Sequence, residues 1–315
     1  MSKTLKELFG NDFDLGAAVN AETVVSHSEL LKANFTSVTC ENEMKFISTH
    51  PERGVYTFER ADMITDFASA NGMKARGHTL VWHNQTPDWV FSDSAETLPI
   101  VTEHINTLLG RYKGKVYCYD VVNEAVIDAE GALLRPTKWL QALGGDYIDK
   151  VFMIAHEADP GALLFYNDYN ESVPEKRDKI YGLLKGMIGR GVPVHGLGLQ
   201  AHWNIYGPSE DEITAAIEKY AGLGLILHIT ELDISAYASG DERTGITEPE
   251  DGVIEKIISK YEKVFAIFKQ YKSVIKSVTT WGAADDCTWL DQFPVRNRKN
   301  WPLLFDTDHR LKAWR

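Results

Sequence analysis

Two glutamates follow β-rich segments of the chain and could together cleave a glycosidic bond. Glu124 comes directly after the run Y-D-V-V-N, and Glu231 comes directly after I-L-H-I-T. Glycoside cleavage needs one carboxyl group to protonate the leaving oxygen and a second to attack the anomeric carbon or activate a water. A gap of roughly 5–5.5 Å between the carboxyls goes with retention of configuration, and roughly 6.5–9.5 Å with inversion. The sequence leaves both outcomes open.

The other candidate site residues also follow β-rich segments and belong to types that bind sugars. Amides and histidines hydrogen-bond to hydroxyl groups, and indole rings stack on sugar rings. This combination suits a carbohydrate better than a phosphate or an acyl group. These residues are Glu41, Asn42, Lys45, His78, Trp82, Gln85, Asn123, Tyr169, Asn170, Gln200, His202, Trp281 and Trp289.

Eight short β-rich segments alternate with amphipathic segments that have helical spacing. The alternation predicts an α/β fold, a closed (β/α)₈ TIM barrel forming one domain over residues 1–315, in which catalytic residues follow the strands. No G-x-G-x-x-G follows the first strand, so a dinucleotide-binding fold has little support. The predicted strands are Asp14–Asn20, Ser37–Cys40, Lys74–Leu80, Lys115–Asn123, Ala162–Asp168, Gly196–Gln200, Leu225–Thr230 and Ser277–Trp281.

Seven segments carry apolar residues at helical spacing. The eighth strand is followed by a long loop over 282–305, so we expect the last helix to be shortened or absent. Ser209 is a candidate N-cap. The predicted helices are Glu22–Asn34, Arg60–Asn71, Thr97–Tyr112, Tyr147–Glu157, Glu175–Arg190, Ser209–Ala221 and Glu250–Tyr271.

The overall composition argues against some classes of binding partner. The chain has 33 basic and 45 acidic residues and a formal net charge of −12, which argues against nucleic acid and anionic membranes as partners. Three separated cysteines indicate neither a disulfide framework nor a zinc ribbon.

The N-terminus lacks the apolar stretch of a signal peptide, so we expect a cytoplasmic protein, although a mature secreted domain with an added Met would look the same. The oligomeric state is not predicted.

Five ordered motifs resemble those of glycoside hydrolase family 10 xylanases, and the likeness extends over nearly the whole chain. D-V-V-N-E-A (120–125) and G-L-I-L-H-I-T-E-L-D-I (224–234) are similar to that family's acid/base and nucleophile motifs. E-N-E-M-K (41–45), G-H-T-L-V-W-H (77–83) and W-G-A-A-D-D-C-T-W-L (281–290) match in order and spacing.

The resemblance implies a retaining endo-1,4-β-xylanase that acts on xylan or xylo-oligosaccharides without a cofactor or a metal. It implies that Glu231 is the nucleophile and Glu124 the acid/base, that Tyr169 and Asn170 meet the aglycone side, and that the other candidate residues line the glycone side. His202 can donate to Glu231 and keep it ionised, and Asp233 can hold the other nitrogen of His202.

Other functions stay open at this point. His78, His83 and His202 could form a metal site. Lys45 could form a Schiff base, although Glu41 and Glu43 nearby would raise its pKa. A β-1,4-glucanase shares the same pair of glutamates, and a non-catalytic sugar-binding barrel shares the fold. The E-N-E-M-K and W-G-A-A-D-D segments favour the xylanase.

Overall fold

Eight parallel strands close into a barrel in the computed structural model, which describes residues 3–314. The strands alternate with helices along the chain. The barrel strands are β1 (Asp14–Val19), β2 (Ser37–Cys40), β3 (Lys74–Trp82), β4 (Val116–Asn123), β5 (Leu163–Asp168), β6 (Gly196–Leu199), β8 (Ile226–Ser235) and β9 (Ile275–Thr280). A further short strand, β7 (His202–Asn204), lies between β6 and β8 in the sequence.

Two pairings close the barrel. β1 pairs with β9 in parallel, with Gly16 opposite Thr279, and β6 pairs with β8, with Gly198 opposite His228. β7 follows β6 after Ala201, which has a φ of 59°, and pairs with the end of β8. The predicted TIM barrel is therefore confirmed, with β7 as an additional short strand at the edge of the mouth.

The helices lie around the barrel. They are α1 (Leu5–Phe9), α2 (Thr23–Ser26), α3 (Ser28–Asn34), α4 (Phe46–Thr49), α5 (Glu59–Ala70), α6 (Ser94–Tyr112), α7 (Lys138–Leu143), α8 (Tyr147–Ala158), α9 (Pro174–Gly189), α10 (Glu210–Ala221) and α11 (Val253–Gln270). Ser209 caps α10 in a capping box with Glu212, as its sequence predicts. Among the described helices, none is long and apolar enough to cross a membrane.

The prediction of one continuous helix over Glu22–Asn34 is wrong. The backbone of His27 leaves the helical region, with φ −106° and ψ 16°, and separates α2 from α3. The imidazole of His27 is buried and lies 2.8 Å from the hydroxyl of Ser26 and 3.2 Å from the carboxylate of Asp286. The contact with Asp286, which lies in a distant loop, provides a tertiary reason for the break, which helical periodicity cannot reveal.

Two strands are longer than predicted. β3 continues to Trp82, and β8 continues from Thr230 to Ser235. Glu231 and Asp233 therefore lie within a strand, on backbone that the neighbouring strands hold in place. Strand backbone positions side chains more precisely than a loop does.

The described residues after β9 contain no α-helix, in agreement with the expected loss of the last one. Residues 281–314 form a long loop with two short 3₁₀ helices, Asp285–Cys287 and Trp289–Asp291. Trp314 packs between Phe9 of α1 and Phe265 of α11, with ring centroids 4.9 Å and 5.0 Å away. These contacts join the two ends of the described chain to the outer face of the barrel. Residues 1, 2 and 315 of the predicted domain lie outside the described residues.

Candidate active site

A cavity of about 640 Å³ lies at the carboxyl ends of the strands and contains both glutamates. Every predicted site residue except Asp233 lines it, and Asp233 lies behind His202. Asn84 and Phe293, which were not predicted, also line the cavity, as does His83, which the sequence offered only as a possible metal ligand. The lining residues are Glu41, Asn42, Lys45, His78, Trp82, His83, Asn84, Gln85, Asn123, Glu124, Tyr169, Asn170, Gln200, His202, Glu231, Trp281, Trp289 and Phe293.

Glu231 is held between two neighbours on the barrel wall. The amide nitrogen of Asn167 donates to Glu231 Oε1 at 2.7 Å, and His202 Nε2 lies 3.2 Å from Oε2. The other ring nitrogen of His202 lies 2.9 Å from Asp233. Because both ring nitrogens face carboxylates, both must donate, so His202 carries a proton on each.

The electrostatics of this group keep Glu231 ionised. Burial acts to raise the pKa of Glu231, but the electrostatic interaction with His78 and the hydrogen bond from His202 outweigh it, and the pKa lies below its usual value. Burial acts to lower the pKa of His202, but Asp233 and Glu231 together raise it well above its ordinary value. At neutral pH, Glu231 is therefore a carboxylate beside an imidazolium.

A buried ion network lies beneath Glu231. Both oxygens of Asp120 accept from the guanidinium of Arg76, with Nη1 at 2.7 Å from Oδ2. His78 Nδ1 lies 2.9 Å from the same Oδ2 and 3.9 Å from Glu231 Oε1. Arg76, Asp120 and His78 are each at most 2% exposed. Burial acts to raise the pKa of Asp120, but Arg76 outweighs it and lowers the pKa.

A chain of amides connects the two glutamates. Asn167 donates to Asn123 Oδ1 at 2.8 Å as well as to Glu231. Gln200 donates to the same oxygen of Asn123 and to Glu124 Oε1, each at 3.1 Å. These side chains fix the positions of both carboxyl groups in the absence of a sugar.

Asn167 is a site residue that sequence reasoning missed, although it ends a predicted strand. Its side chain occupies space that Gly198 on the adjacent β6 leaves free. A Cβ on Gly198 would lie only 2.1 Å from Asn167 Oδ1 and 2.8 Å from Thr230. The G-L-G-L sequence of β6 is the signal that could have revealed this space.

Glu124 has a more open environment than Glu231. It follows β4 with a φ of 59°, and its backbone nitrogen donates to the carbonyl of Asn167. Trp82 Nε1 donates to Oε2 at 2.9 Å, and His83 Nε2 lies 4.0 Å from the same oxygen. Its side chain is 14% exposed, against 6% for Glu231. The less buried carboxyl thus faces the cavity from β4, and the more buried one faces it from β8.

Polar side chains that follow β2 line one side of the cavity. Lys45 donates to Asn42 Oδ1 at 2.9 Å, and Gln85 donates to the same oxygen at 3.3 Å. Burial raises the pKa of Glu41. The nearby glutamates act to raise the pKa of Lys45, as expected, but burial outweighs them and the pKa lies below its usual value.

The opposite side of the cavity is organised by Asp128, which was not predicted. Asp128 accepts from the hydroxyl of Tyr169 at 2.6 Å and from the amide of Asn170 at 3.0 Å. Lys176 donates to Asp128 at 3.1 Å, and Arg135 donates to the Tyr169 hydroxyl at 2.8 Å. The position of the Tyr169 ring is therefore set by a charged cluster outside the cavity.

Two tryptophans form the wall beside Glu231. Trp281 lies edge-on to His78, with ring centroids 5.2 Å apart. Trp289 Nε1 donates to Asp233 Oδ2 at 2.8 Å, and Phe293 stacks on the Trp289 ring at 5.3 Å. The loop after β9 is thereby attached to the same Asp233 that holds His202.

A TIM barrel with two glutamates facing one cavity, rimmed by amides and indoles, defines a glycoside hydrolase by its fold and its site. Comparison with known proteins gives the family. Residues 4–314 match the description "Glycosyl hydrolase family 10". The chain therefore belongs to glycosyl hydrolase family 10, as its motifs predict.

Relatives from several bacteria are similar over almost their whole length. An endo-1,4-beta-xylanase from Geobacillus stearothermophilus is 52% identical, over 99% of this chain and 97% of the relative. The crystal structure of xylanase XynB from Paenibacillus barcinonensis superimposes with a TM-score of 0.96 at 51% identity, covering 98% of this chain and 95% of that one. A GH10 xylanase from Thermobacillus composti gives a TM-score of 0.91 at 54% identity, with 98% and 96% covered.

We expect one isosteric substitution in the ion network beneath Glu231, Asp120→Asn, to lower the stability of the protein strongly. Asp120→Asn leaves Arg76 buried without its counter-charge, so the free energy of unfolding should fall by about 3–5 kcal/mol. Denaturant unfolding followed by fluorescence measures the change.

A matched control is the partly exposed pair Asp62–Arg111, whose side chains are 28% and 44% exposed. Asp62→Asn should cost about 1 kcal/mol or less, because water screens that pair. Equal losses for the two variants would contradict the structural role given to Asp120.

Proposed function

We propose that this protein is a retaining endo-1,4-β-xylanase, with Glu231 as nucleophile and Glu124 as acid/base. The observation that carries the assignment is the unequal environment of the two glutamates. Glu231 is buried between Asn167 and protonated His202, which favour its ionised form, whereas Glu124 is the more accessible carboxyl. Two carboxyls in different environments can take different roles in one reaction.

The first step forms a bond between a Glu231 oxygen and the anomeric carbon. As the bond to the glycosidic oxygen breaks, that oxygen takes the proton of Glu124 and leaves as a hydroxyl. In the second step Glu124, now a carboxylate, removes a proton from water, and the water oxygen displaces Glu231 from the anomeric carbon. Two inversions at one carbon give net retention. His202 and Asn167 stabilise the negative charge of the Glu231 carboxylate before and after each catalytic cycle.

The polar groups support a chain of β-1,4-linked xylose as substrate. Asn123 lies between the two glutamates, where it can bond to the 2-hydroxyl of the sugar at the cleavage point, a contact that strengthens in the transition state. Glu41, Asn42 and Lys45 would bind hydroxyls on the glycone side, and Tyr169 would stack on the aglycone side. Trp281 and Trp289 would leave no room for the hydroxymethyl group of glucose. The relatives named above carry xylanase names, which supports the same substrate.

Hydrolysis of xylotetraose followed by NMR tests the proposal. The wild type should release β-anomers first, before mutarotation. Glu231→Gln should lose a factor of about 10⁴ or more in rate, because it removes the nucleophile. Glu124→Gln should lose about 10²–10⁴.

The exposed Glu29→Gln on α3, whose side chain is 93% exposed, serves as the control and should keep full activity. First release of α-anomers would exclude retention. Cleavage of cellotetraose in preference to xylotetraose would indicate a β-1,4-glucanase instead.

The imidazolium of His202 predicts a change in the pH profile. Glu231 must be ionised to attack, so the acid limb of kcat/KM follows its pKa. His202→Asn removes a positive charge that lowers the pKa of Glu231, so this pKa rises and the acid limb moves to higher pH. The measurement is kcat/KM on an aryl xylobioside between pH 3 and 8, values chosen to span the usual carboxyl range.

The control variant is His156→Asn on α8, away from the cavity, whose profile should match the wild type. If the acid limb of kcat/KM does not move in His202→Asn while activity falls at every pH, His202 has a structural role only and does not set the pKa of Glu231.

A further inference from the structure

Two histidines and an aspartate from three distant segments meet at one place, and none of them lines the cavity that holds the two glutamates. His27 lies between α2 and α3, Asp286 lies in the loop after β9, and His309 lies near the end of the described chain. One potential ligand atom from each residue lies within 4.8 Å of the other two. His27 Nε2 is 3.2 Å from Asp286 Oδ1, and His309 Nε2 is 3.6 Å from Asp286 Oδ2.

The contacts of His27 leave one ring nitrogen facing the carboxylate. Nδ1 lies 2.8 Å from the hydroxyl of Ser26, which donates to the carbonyl of Glu22 at 3.1 Å. Nε2 therefore points at Asp286 and lies 3.2 Å from its Oδ1.

The His309 ring provides a second nitrogen on the same carboxylate. The rings of His27 and His309 lie 4.4 Å apart and 36° from parallel. Two imidazole nitrogens and one carboxylate that face one another are a ligand set that suits a divalent transition-metal ion.

The geometry points to a Zn²⁺ site, and we propose that His27, Asp286 and His309 bind this ion. Zinc takes imidazole nitrogen at about 2.0–2.1 Å and carboxylate oxygen at about 2.0–2.2 Å, in tetrahedral geometry. The ligand atoms of such a site lie roughly 3.3–3.5 Å apart. His27 Nε2 and His309 Nε2 lie 3.2 Å and 3.6 Å from the carboxylate, each from a different oxygen of Asp286, and one ligand atom from each residue lies within 4.8 Å of the other two. The three groups are therefore close to the spacing that one ion needs. A hydrogen bond from the second imidazole nitrogen, as from His27 to Ser26, is the usual support of a zinc-binding histidine.

The ion can reach the site and would have a structural effect there. Asp286 and His309 have side chains that are 38% and 34% exposed, so the fourth position is open to water. Asp286 lies in the same loop as Trp281 and Trp289, and the adjacent Asp285 accepts from Leu303 N at 2.9 Å and from Lys312 at 2.8 Å. Zinc would tie this loop to the α2–α3 junction on one side and to the chain end on the other. The site is therefore structural, and it does not depend on the proposed catalytic function.

Calorimetric titration of chelator-treated full-length protein with Zn²⁺ tests the proposal. The wild type should bind one equivalent. A free zinc concentration of 100 times Kd should raise the folding equilibrium constant about 100-fold, which for a chain of this size raises Tm by roughly 5 °C. Co²⁺ as a spectroscopic probe should give the visible absorption bands of a four-coordinate nitrogen and oxygen site.

Three variants decide the outcome. His309→Ala and Asp286→Asn change partly exposed side chains, and both should lose the bound equivalent, the rise in Tm and the cobalt bands. His156→Ala on α8 is the control and should keep all three. If the wild type takes up no zinc, or if His309→Ala and Asp286→Asn bind it as tightly as the wild type does, the site does not exist as proposed.

Discussion

The buried pair of Arg76 and Asp120 is the constraint on which the site depends. Removing two charges from water is costly, and a buried pair is tolerated only when its geometry is nearly ideal and its remaining hydrogen bonds are made. Here the guanidinium of Arg76 donates to both oxygens of Asp120, and His78 Nδ1 also lies within hydrogen-bond distance of one of these oxygens. This arrangement fixes His78 next to Glu231, so the position of a group near Glu231 is set deep in the barrel, from β3 and β4.

The other residues of the site give Glu231 and Glu124 different environments, although the two side chains are chemically identical. Glu231 lies on β8 among groups that favour the carboxylate, with Asn167 and His202 in contact and His78 below. Glu124 follows β4 and contacts Trp82 and Gln200 at the more accessible side. Because the barrel strands hold both groups, this difference exists before a substrate binds, and little reorganisation is needed during the reaction.

The order of β-rich and helical segments in the sequence predicts the barrel and most of the cavity residues, and the reason is physical. Catalytic side chains of parallel barrels follow the strands, so locating eight strands also locates Glu124, Glu231 and the residues that share their cavity. Asn167 was missed because its role depends on the missing side chain of Gly198 on the neighbouring strand. Asp128 was missed because it acts through Tyr169, which is distant in sequence. The break at His27 depends on contacts with a loop more than 250 residues away, which no local pattern encodes.

In the proposed mechanism Glu231 forms a covalent bond to the sugar, and trapping that glycosyl-enzyme tests the mechanism most directly. A 2-deoxy-2-fluoro xylobioside with an activated leaving group forms the glycosyl-enzyme but hydrolyses it slowly, since the fluorine destabilises the oxocarbenium-like transition state. Intact-protein mass spectrometry should show one added fluoro-xylobiosyl unit per chain, and peptide mapping should place it on Glu231. A label on another residue would contradict the assignment, and a protein that turns over substrate without ever carrying the label would contradict double displacement.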